Sequence, residues 1–461
     1  MDTQEFYRSL KGKTVAFCGI GGSNLPLVKI FAQKGAHATA RDRRSREKLG
    51  ETAGELERLG VCLKLGDDYL SDLNEDIIFR TPGMKYYLPE LNEARRRGSA
   101  VTSEMEVFFD LCPCKIFAVT GSDGKTTTTT IMAEMLKAAG KTVHLGGNIG
   151  TPLLPRIDSI QPDDFAVVEL SSFQLISMRR SPDVAVVTNV SPNHLDMHKD
   201  MQEYIDAKKN IILHQNAFGR AVLNADNGIT TEFADEVRGE ALMFSRRKKC
   251  DHGAWLNEQN QIIMTANGID VPVMDAADIK IPGSHNVENY LAAVAALWGY
   301  VKPEVMVQVA KTFGGVEHRS EFVRELDGVR YYNDSIGTTP SRTANGMLSL
   351  FDQKLILIAG GYDKKIPFDS FGPIVVNKVK TLVLMGATAG QIEASVKAAP
   401  QYREGSPKIL HVSSLGEAVN TCRREAVTGD IVALSPACAS FDMFPNYETR
   451  GEEFKKLVNM L

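Results

Sequence analysis

The sequence lacks an excess of positive charge, a long apolar run and an apolar leader segment. It has 53 Lys and Arg against 57 Asp and Glu, a formal net charge of −4, whereas a broad nucleic-acid-binding surface is basic. No apolar run approaches the roughly 20 residues that a membrane-spanning helix needs. Residues 2–5 are polar or acidic, unlike a signal peptide. These absences predict a cytoplasmic protein that binds no nucleic acid and does not insert into a membrane.

The seven cysteines are too few and too scattered to form a disulfide framework. An odd number in a chain this long is typical of reduced thiols. Cys112 and Cys114 flank Pro113 and lack the C-x-x-C spacing of redox and zinc motifs, so we interpret them as structural. Cys438 has no accompanying His or Asn signature of a nucleophile, and we interpret it as a packed thiol.

The strongest positive signal is a strand–loop–helix junction at residues 116–136. An apolar strand ends at the loop Gly121-Ser122-Asp123-Gly124, and apolar residues then recur at helical spacing. The N–H groups at the start of such a helix suit a phosphate. Lys125 can reach β- and γ-phosphate oxygens, and the Thr126 hydroxyl can bind magnesium. The loop is shorter than a standard Walker motif; the alternative is a flexible turn with a surface lysine.

Alternation of strands and helices along the whole chain predicts an α/β fold with mostly parallel sheets. The first strands surround Gly19-Ile20-Gly21-Gly22, with Asp42 at the end of the second strand, as in dinucleotide-binding units. These residues alone fit a packing turn equally well. We expect a Rossmann-like N-terminal domain (1–105), a central P-loop-type ATPase α/β domain (106–315) and a Rossmann-like C-terminal domain (316–461).

Three further residues are candidates for chemistry. Glu169 follows an apolar strand and is placed to bind magnesium at a nucleotide site. His194 and His198 are four residues apart, but the glutamate of H-E-x-x-H is missing, so a structural zinc site is not expected. Lys208 has apolar neighbours at helical spacing, which indicates either a side chain that extends to water or a charge put to use.

An ordered set of motifs across nearly the whole chain resembles the Mur ligase family. The set comprises Gly121 to Thr126, Glu169 before Leu-Ser-Ser-Phe, Asn193 to His198, Ala207-Lys208, Leu223 to Asp226, Gly283 to Asn289, His318-Arg319 and Ser435 to Gly451. The resemblance implies an ATP-dependent ligase that adds D-glutamate to UDP-N-acetylmuramoyl-L-alanine through an acyl phosphate. It also implies cytoplasmic peptidoglycan precursor synthesis, with roles in cell shape and division, a monomer, ATP, and Mg²⁺ at two sites.

The resemblance also implies roles for individual residues. Those implied in catalysis are Lys125, Glu169, His194 and Lys208, the last as a carbamylated lysine. Those implied in metal binding are Thr126, Glu169, His194 and Lys208. Those implied in ATP binding are Gly121, Ser122, Asp123, Gly124, Lys125, Thr126, Thr127, Asn286, Asn289, Arg319 and Asp334. The UDP-substrate set is Gly21, Gly22, Ser23, Asp42, Gly83 and Asn148. The D-glutamate set is Thr338, Lys364, Ser440 and Tyr447.

One departure from the family pattern affects the expected site. Ile336 stands where many relatives carry a lysine, and Arg342 is a hypothetical substitute for that cation. Alternatives are another Mur-type or folylpolyglutamate-type ligase, a nucleotide-sensing relative without catalysis, and a nicotinamide dehydrogenase. Glu169, His194 and Lys208 favour retained ligase chemistry over the last two.

Overall fold

The computed structural model describes residues 2–192 and 197–461. The described chain contains three β-sheets and divides into two compact units. The first unit comprises Met1–Asp278 and Val287–Ala310, and the second comprises Ile279–Asn286 and Lys311–Leu461. The α/β fold class with three sheet-containing domains is confirmed, while the predicted domain boundaries stay a prediction.

The first sheet is fully parallel, with strand order β3-β2-β1-β4-β5. Its strands are β1 (Thr14–Cys18), β2 (His37–Asp42), β3 (Cys62–Leu65), β4 (Ile77–Arg80) and β5 (Ala100–Thr102). Its helices are α1 (Thr3–Leu10), α2 (Leu25–Gln33), α3 (Arg46–Leu49), α4 (Glu51–Arg58), α5 (Pro89–Arg96) and α6 (Glu104–Leu111). Apolar residues of β1 alternate between two cores, because Phe17 packs with α2 and Ala16 packs with α5.

The second sheet has nine strands in the order β14-β13-β12-β11-β10-β9-β6-β8-β7. Only the β12–β13 and β13–β14 pairs are antiparallel among its ladders in the described chain. Its strands are β6 (Lys115–Thr120), β7 (Val143–Gly147), β8 (Phe165–Glu169), β9 (Val184–Val187), β10 (Arg220–Asn224), β11 (Glu240–Ser245), β12 (Gly253–Leu256), β13 (Gln261–Ala266) and β14 (Ile269–Asp275).

The helices that accompany this sheet include the one after the phosphate loop. They are α7 (Lys125–Ala138), α8 (Ser172–Leu175), α9 (Met201–Leu213), α10 (Gly228–Glu232), α11 (Ser284–Leu297) and α12 (Pro303–Thr312), with 3₁₀ turns at Leu154–Ser159, Phe233–Glu236 and Ala276–Asp278. In α7 the Thr129 and Thr130 hydroxyls donate to the carbonyls of Lys125 and Thr126, both at 2.8 Å. These bonds let a threonine run remain helical while the apolar face, which includes Ile131 and Met135, is buried.

The third sheet lies in the second unit and has the order β15-β16-β20-β17-β18-β19. Its strands are β15 (Glu321–Leu326), β16 (Val329–Asn333), β17 (Leu355–Ala359), β18 (Val379–Leu384), β19 (Lys408–His411) and β20 (Ile431–Leu434). Its helices are α13 (Pro340–Asn345), α14 (Phe371–Lys378), α15 (Ala389–Ala398), α16 (Leu415–Glu425) and α17 (Tyr447–Met460), with a 3₁₀ turn at Met347–Ser349. Leu357 of β17 packs in the core with α13–α15, whereas Ile356 and Ile358 pack in the core with α16 and α17.

No described helix, in either of the two ranges given above, has both the length and the apolar character needed to cross a lipid bilayer.

Candidate functional site

The phosphate loop connects the end of β6 to the first turn of α7, as the sequence predicts. Gly124 is the residue before the helix and has a left-handed conformation with φ 78°. The N–H groups of Lys125, Thr126 and Thr127 then lie in the first helical turn, where no intrahelical acceptor is available. The loop therefore presents backbone donors and the positive end of the helix dipole at one point.

Glycine is required at both ends of this loop, because a side chain at either position would collide with neighbouring residues. A Cβ atom on Gly121, where φ is +151°, would lie 1.8 Å from Thr188 Oγ1. A Cβ atom on Gly124 would lie 2.5 Å from Asn289 Oδ1. Asn289 also accepts a hydrogen bond from Thr128 Oγ1 at 3.1 Å. The loop is thus held closely against the end of β9 and against α11.

Residues after β9 fix the path of the loop. Ser122 N donates to Asn189 O at 2.9 Å, and Asp123 N donates to Asn189 Oδ1 at 3.0 Å. Ser122 Oγ is buried and lies 2.9 Å from Tyr204 Oη. Asp123 is exposed.

Glu169 lies at the carboxyl end of β8 and contacts two other residues of the predicted site. Its carboxylate accepts a hydrogen bond from Thr126 Oγ1 at 2.6 Å and another from Asn148 Nδ2 at 2.8 Å. The strand order β9-β6-β8-β7 brings these residues to one edge of the sheet. Hydroxyl and carboxylate oxygens, together with phosphate oxygens, are the ligands that Mg²⁺ prefers. The donor set therefore fits a magnesium ion at a nucleotide.

Lys208 lies on α9 and is buried under the same loop, with 2% of its surface exposed. Its Nζ donates to Gly121 O at 2.7 Å and lies 4.6 Å from the centre of the Tyr204 ring. This burial excludes the alternative in which the side chain extends to water. Burial is the main cause that lowers the pKa of Lys208 well below its usual value, and the Lys125 charge lowers that pKa further. Loss of a proton, which gives the neutral, nucleophilic amine, is therefore easier at Lys208 than at an exposed lysine.

Lys125 Nζ donates to Gly121 O at 3.1 Å and to Ser122 O at 3.0 Å. Two lysines thus share the Gly121 carbonyl. Their mutual repulsion disfavours charge on both, and the Lys125 charge is one of the causes that lower the pKa of Lys208.

Of the two candidate histidines, His198 lies within the residues that the structure describes and His194 does not. His198 is buried, with Nε2 2.9 Å from Ser172 Oγ and Nδ1 3.3 Å from a Glu203 oxygen, and its ring stacks on Phe173. It precedes α9, which begins at Met201, and so is not on a helix. His194 lies outside the described residues.

In the first sheet, the Asp42 carboxylate closes the glycine turn. It accepts from Ile20 N at 2.6 Å and from Arg44 Nη2 at 2.8 Å, while Arg44 also donates to Ile20 O at 2.6 Å. Side-chain and backbone hydrogen bonds from Arg44 oppose the effect of burial and lower the pKa of Asp42. Asp42 is therefore a bound carboxylate that orients the Arg44 guanidinium beside the turn.

A cavity of about 180 Å³ opens next to the glycine turn. It is lined by Gly22, Ser23, Pro82, Ser103, Glu104, Met105, Gly147, Gly150, Pro152 and Gln174. The lining includes Gly22 and Ser23 from the predicted UDP-substrate set and the immediate neighbours of Gly83 and Asn148. Gly21 precedes this lining in the chain. The cavity belongs to the first unit.

The predicted D-glutamate residues lie at the carboxyl edge of the third sheet and in the loops beyond it. Lys364 Nζ donates to Thr338 Oγ1 at 3.2 Å, and both side chains are accessible. Ser440 is buried, and Tyr447 is the first residue of α17. The ring of Tyr447 makes an edge contact with His318 at 6.0 Å.

Asp334 follows β16 and is almost fully buried. It accepts from Ser435 Oγ at 2.6 Å and from Ser320 N at 3.1 Å. Burial raises the pKa of Asp334 to about 6, against the opposing hydrogen bond of Ser435 and the charges of Arg319 and Arg342. Among the remaining predicted ATP residues, Asn286 donates to Pro282 O at 2.6 Å at the start of α11.

Comparison with known proteins gives consistent matches. The Mur ligase middle domain matches residues 119–297, and the Mur ligase glutamate ligase domain matches residues 318–438. A UDP-N-acetylmuramoylalanine–D-glutamate ligase of Ruminiclostridium cellulolyticum is 52% identical, covering 99% of both chains. The enzyme of the same name from Acetivibrio thermocellus is 51% identical, covering 99% of this chain and 98% of its own.

The chain belongs to the Mur ligase family.

Solved structures support the fold of this Mur ligase. A UDP-N-acetylmuramate–alanine ligase of Thermotoga maritima superposes with a TM-score of 0.56 at 18% identity, covering 97% of this chain and 99% of its own. A pseudomurein peptide ligase type C of Methanothermus fervidus gives a TM-score of 0.52 at 18% identity, covering 97% and 100%. At these identities the similarity concerns the fold alone.

Sequence reasoning missed several residues that shape the site of this Mur ligase. Arg44 was not singled out, although an arginine two positions after a strand-end aspartate is a signal that could have found it. Gln174 was also missed; its side chain accepts from Ser171 N and lines the cavity beside Gly22. Arg80 was missed as well. It is buried and donates to Phe173 O and Ser177 Oγ, which ties β4 to the segment after β8.

Proposed function

We propose that this Mur ligase uses ATP to join D-glutamate to UDP-N-acetylmuramoyl-L-alanine, in the cytoplasmic synthesis of peptidoglycan precursors. The observation that carries the proposal is the buried Lys208 beneath a phosphate loop whose Thr126 hydroxyl is bonded to Glu169. Relatives about half identical over essentially the whole chain carry the name of this activity, and the Mur ligase family is ATP-dependent.

The reaction solves the problem that a carboxylate is a poor acyl donor. A carboxylate oxygen of the UDP substrate attacks the γ-phosphorus of ATP, giving an acyl phosphate and ADP. The amine of D-glutamate then attacks the acyl carbon, and the tetrahedral intermediate expels phosphate as the nitrogen loses a proton. Positioning of the reactants and stabilisation of negative charge are the main catalytic tasks.

The phosphate loop performs the first of these tasks. Its backbone donors and Lys125 would hold the phosphates of ATP. Thr126 and Glu169 would hold a magnesium ion, which when bound would neutralise charge on the phosphoryl group. Asn148 holds the Glu169 carboxylate in the orientation that this binding needs.

Lys208 is proposed to react with carbon dioxide. Its neutral amine would attack the carbon of CO₂, and loss of one proton would leave a carbamate anion on Nζ. This converts a costly buried cation into an anion with two oxygen ligands for a second magnesium ion. His194 is assigned to the same metal-binding group from the resemblance alone.

The remaining assignments complete the proposal. The cavity lined by Gly22 and Ser23 is proposed to take the UDP substrate, and Asp42, Gly83 and Asn148 are proposed to bind it as well. Arg319 and Asp334 are proposed to contact ATP, together with Asn286 and Asn289. Thr338, Lys364, Ser440 and Tyr447 are proposed to bind D-glutamate. We further propose the domain limits 1–105, 106–315 and 316–461, and a monomer.

One assay tests the function. Phosphate release is measured with ATP, Mg²⁺ and UDP-N-acetylmuramoyl-L-alanine, with D-glutamate, L-glutamate, L-alanine or no amino acid. We expect release that depends on D-glutamate. Release that occurs only with another amino acid would assign a different ligase activity, and absence of release in every arm would contradict a ligase.

The carbamate has its own test. Mass spectrometry of the intact protein, kept in bicarbonate buffer and analysed without acid, should show one added CO₂ that is absent from a Lys208→Met variant. An unmodified mass in bicarbonate would contradict the carbamate while leaving the ligase assignment to the phosphate assay.

A further inference from the structure

The two cysteines that flank Pro113 have their side chains in contact. Their sulfur atoms are 3.5 Å apart. Cys112 Sγ also approaches Cys114 O, and Cys114 Sγ approaches Lys115 O, each at 3.7 Å. Both side chains therefore point to the same side of the segment between α6 and β6.

The backbone on both sides of the pair is fixed. Cys112 N donates to Phe108 O at 2.8 Å and closes the last turn of α6. Ile116 N donates to Asp183 Oδ2 at 2.8 Å at the start of β6. Pro113 adds a fixed φ angle between the two cysteines. The short distance between the sulfur atoms is thus built into the connection between the first and second sheets.

The two thiols differ in accessibility and in acidity. Cys112 is partly exposed, whereas Cys114 is buried with 7% of its surface exposed. A hydrogen bond from the Cys114 thiol is the main cause that lowers the pKa of Cys112, and the same bond raises the pKa of Cys114. A partly exposed thiol with a lowered pKa beside a buried thiol is the arrangement of an attacking and a resolving cysteine.

The other cysteines do not share this environment. Burial raises the pKa of four of them, namely Cys18, Cys250, Cys422 and Cys438. Cys62 is exposed and forms no disulfide. Among the seven cysteines, all of which lie in the described residues, Cys112 and Cys114 are the two whose sulfur atoms contact each other.

We propose that Cys112 and Cys114 are a reversible oxidation site that closes to a disulfide when a hydroperoxide reaches Cys112. Closure moves the sulfur atoms from 3.5 Å to the about 2.05 Å of a disulfide. The Cα atoms of residues two apart are at most about 7.6 Å from each other, so side-chain rotation and a small backbone adjustment complete the ring. The small ring is strained and therefore easily reduced.

The chemistry balances with hydrogen peroxide as the oxidant. The Cys112 thiolate attacks one peroxide oxygen, forming a sulfenic acid and releasing hydroxide. The Cys114 thiol then loses its proton, its sulfur attacks Cys112 Sγ, and the sulfenic oxygen leaves as water. Two thiols lose two electrons in total, and the peroxide is reduced to two waters. The buried Cys114 thus protects Cys112 from irreversible oxidation.

Peptide mapping tests the site directly. Trypsin releases residues 98–115 as one peptide that contains Cys112 and Cys114 and no other cysteine. The full-length protein, with Cys62→Ser to remove the exposed thiol, is treated with a stoichiometric amount of hydrogen peroxide and then alkylated. We expect this peptide to lose two hydrogen atoms and both alkylation sites, and to regain both sites after treatment with dithiothreitol.

Two variants in the same background separate the roles of the cysteines. Cys114→Ser should leave Cys112 as a sulfenic acid that dimedone traps, and Cys112→Ser should leave Cys114 as an alkylatable thiol. A wild-type peptide that keeps both thiols, or one whose Cys112 proceeds to the sulfinic acid, would overturn the proposal. The peptide map of the protein with both cysteines tests disulfide formation by itself. A folding defect in either variant would therefore leave that test intact.

Discussion

Two almost fully buried cations, Lys208 beside the phosphate loop and Arg450 in the second unit, differ in how their charges are satisfied. Arg450 donates four hydrogen bonds of 2.8–3.2 Å, to the hydroxyl and carbonyl of Ser335 and to the carbonyls of Ala439 and Cys438. Lys208 donates one close bond, to Gly121 O at 2.7 Å, and a long one of 3.5 Å to Thr120.

The pKa values of these two groups also differ in how far they are lowered. Burial lowers the pKa of Arg450 only to about 10, so it stays charged at neutral pH. Burial and the neighbouring Lys125 lower the pKa of Lys208 well below its usual value. A buried cation with a full set of acceptors is part of the scaffold, whereas one with an incomplete set is available for chemistry.

The largest expected effect concerns Lys208→Met. Methionine keeps much of the volume, suits the apolar surroundings and cannot be carbamylated. We expect kcat for phosphate release to fall by about a thousandfold, the size seen when a group that stabilises developing charge is removed. We also expect the free energy of unfolding to stay the same or to rise, because the buried amine is gone.

The matched control is Lys209→Met on the next residue, which pairs with Glu236 at the surface. Its kcat should stay within about twofold of wild type, because exposed ion pairs contribute little. A Lys208→Met enzyme that keeps most of its activity would make Lys208 a scaffold residue like Arg450.

Substitution of Arg450 by methionine should lower the stability of the protein, whereas the same substitution of Lys208 should not. Arg450→Met leaves several buried acceptors without a donor, and we expect a loss of about 3 kcal/mol in the free energy of unfolding. Urea denaturation followed by fluorescence measures it. Arg424→Met, at an exposed arginine bonded to Thr421, is the control and should change stability by less than about 0.5 kcal/mol. Equal effects of the two variants would contradict the scaffold role.

Asp334 extends the comparison to a buried carboxylate. Its pKa is about 6 in the folded protein against 3.8 for the ordinary group, so between these values the folded state keeps a proton that the unfolded state has lost. The contribution of Asp334 to stability therefore falls as the pH rises from about 4 to 6. The free energy of unfolding of Asp334→Asn minus that of wild type should increase over this window, by about 2 to 3 kcal/mol.

Urea denaturation at pH 4.5, 5.5 and 7 measures the change, with Asp430→Asn as the control because the Asp430 carboxylate is paired with Lys380. An Asp334→Asn difference that does not vary with pH would show that the carboxylate is ionised throughout. In that case Asp334 would resemble the satisfied Arg450 rather than Lys208.

The sequence predicts the parts of this fold that have strong apolar runs. The buried strands β6 and β8 and the junction at Gly121–Lys125 are predicted from the sequence, because their core residues and glycines are consecutive in the chain. The strands β3, β5 and β19 were not anticipated. Their side chains are exposed or half-buried, so hydrogen bonding to neighbouring strands, rather than an apolar pattern, determines their conformation.

In the candidate site, too, the sequence predicts some features and not others. Lys125, Thr126 and Glu169 could be identified because each follows a recognisable strand. The bonds from Asn148 to Glu169 and from Arg44 to Asp42 determine how those carboxylates are oriented. Such pairings join side chains whose relative placement depends on the folded backbone, and residue order alone does not specify them.

The smallest expected effect tests whether Arg342 supplies the positive charge that is missing at position 336 of the second unit. Ile336, whose N–H donates to His318 O, cannot supply the cation that the family pattern predicts at this position. Arg342 on α13 is exposed. Burial is the main cause that raises the pKa values of Asp334 and Tyr447, and the charge of Arg342 is among those that oppose it. This places the guanidinium near the proposed D-glutamate residues.

We expect Arg342→Ala to raise KM for D-glutamate about fivefold, with little change in KM for ATP, since one solvent-exposed charge contact is worth about 1 kcal/mol. Arg403→Ala, at an exposed arginine that donates to the carbonyls of Pro400 and Tyr402, should leave both constants unchanged. The double variant Ile336→Lys/Arg342→Ala should recover the wild-type KM if the two positions supply the same charge. An unchanged KM in Arg342→Ala would instead mean that Lys364 alone supplies the cation for the substrate carboxylates, because its Nζ already lies at Thr338.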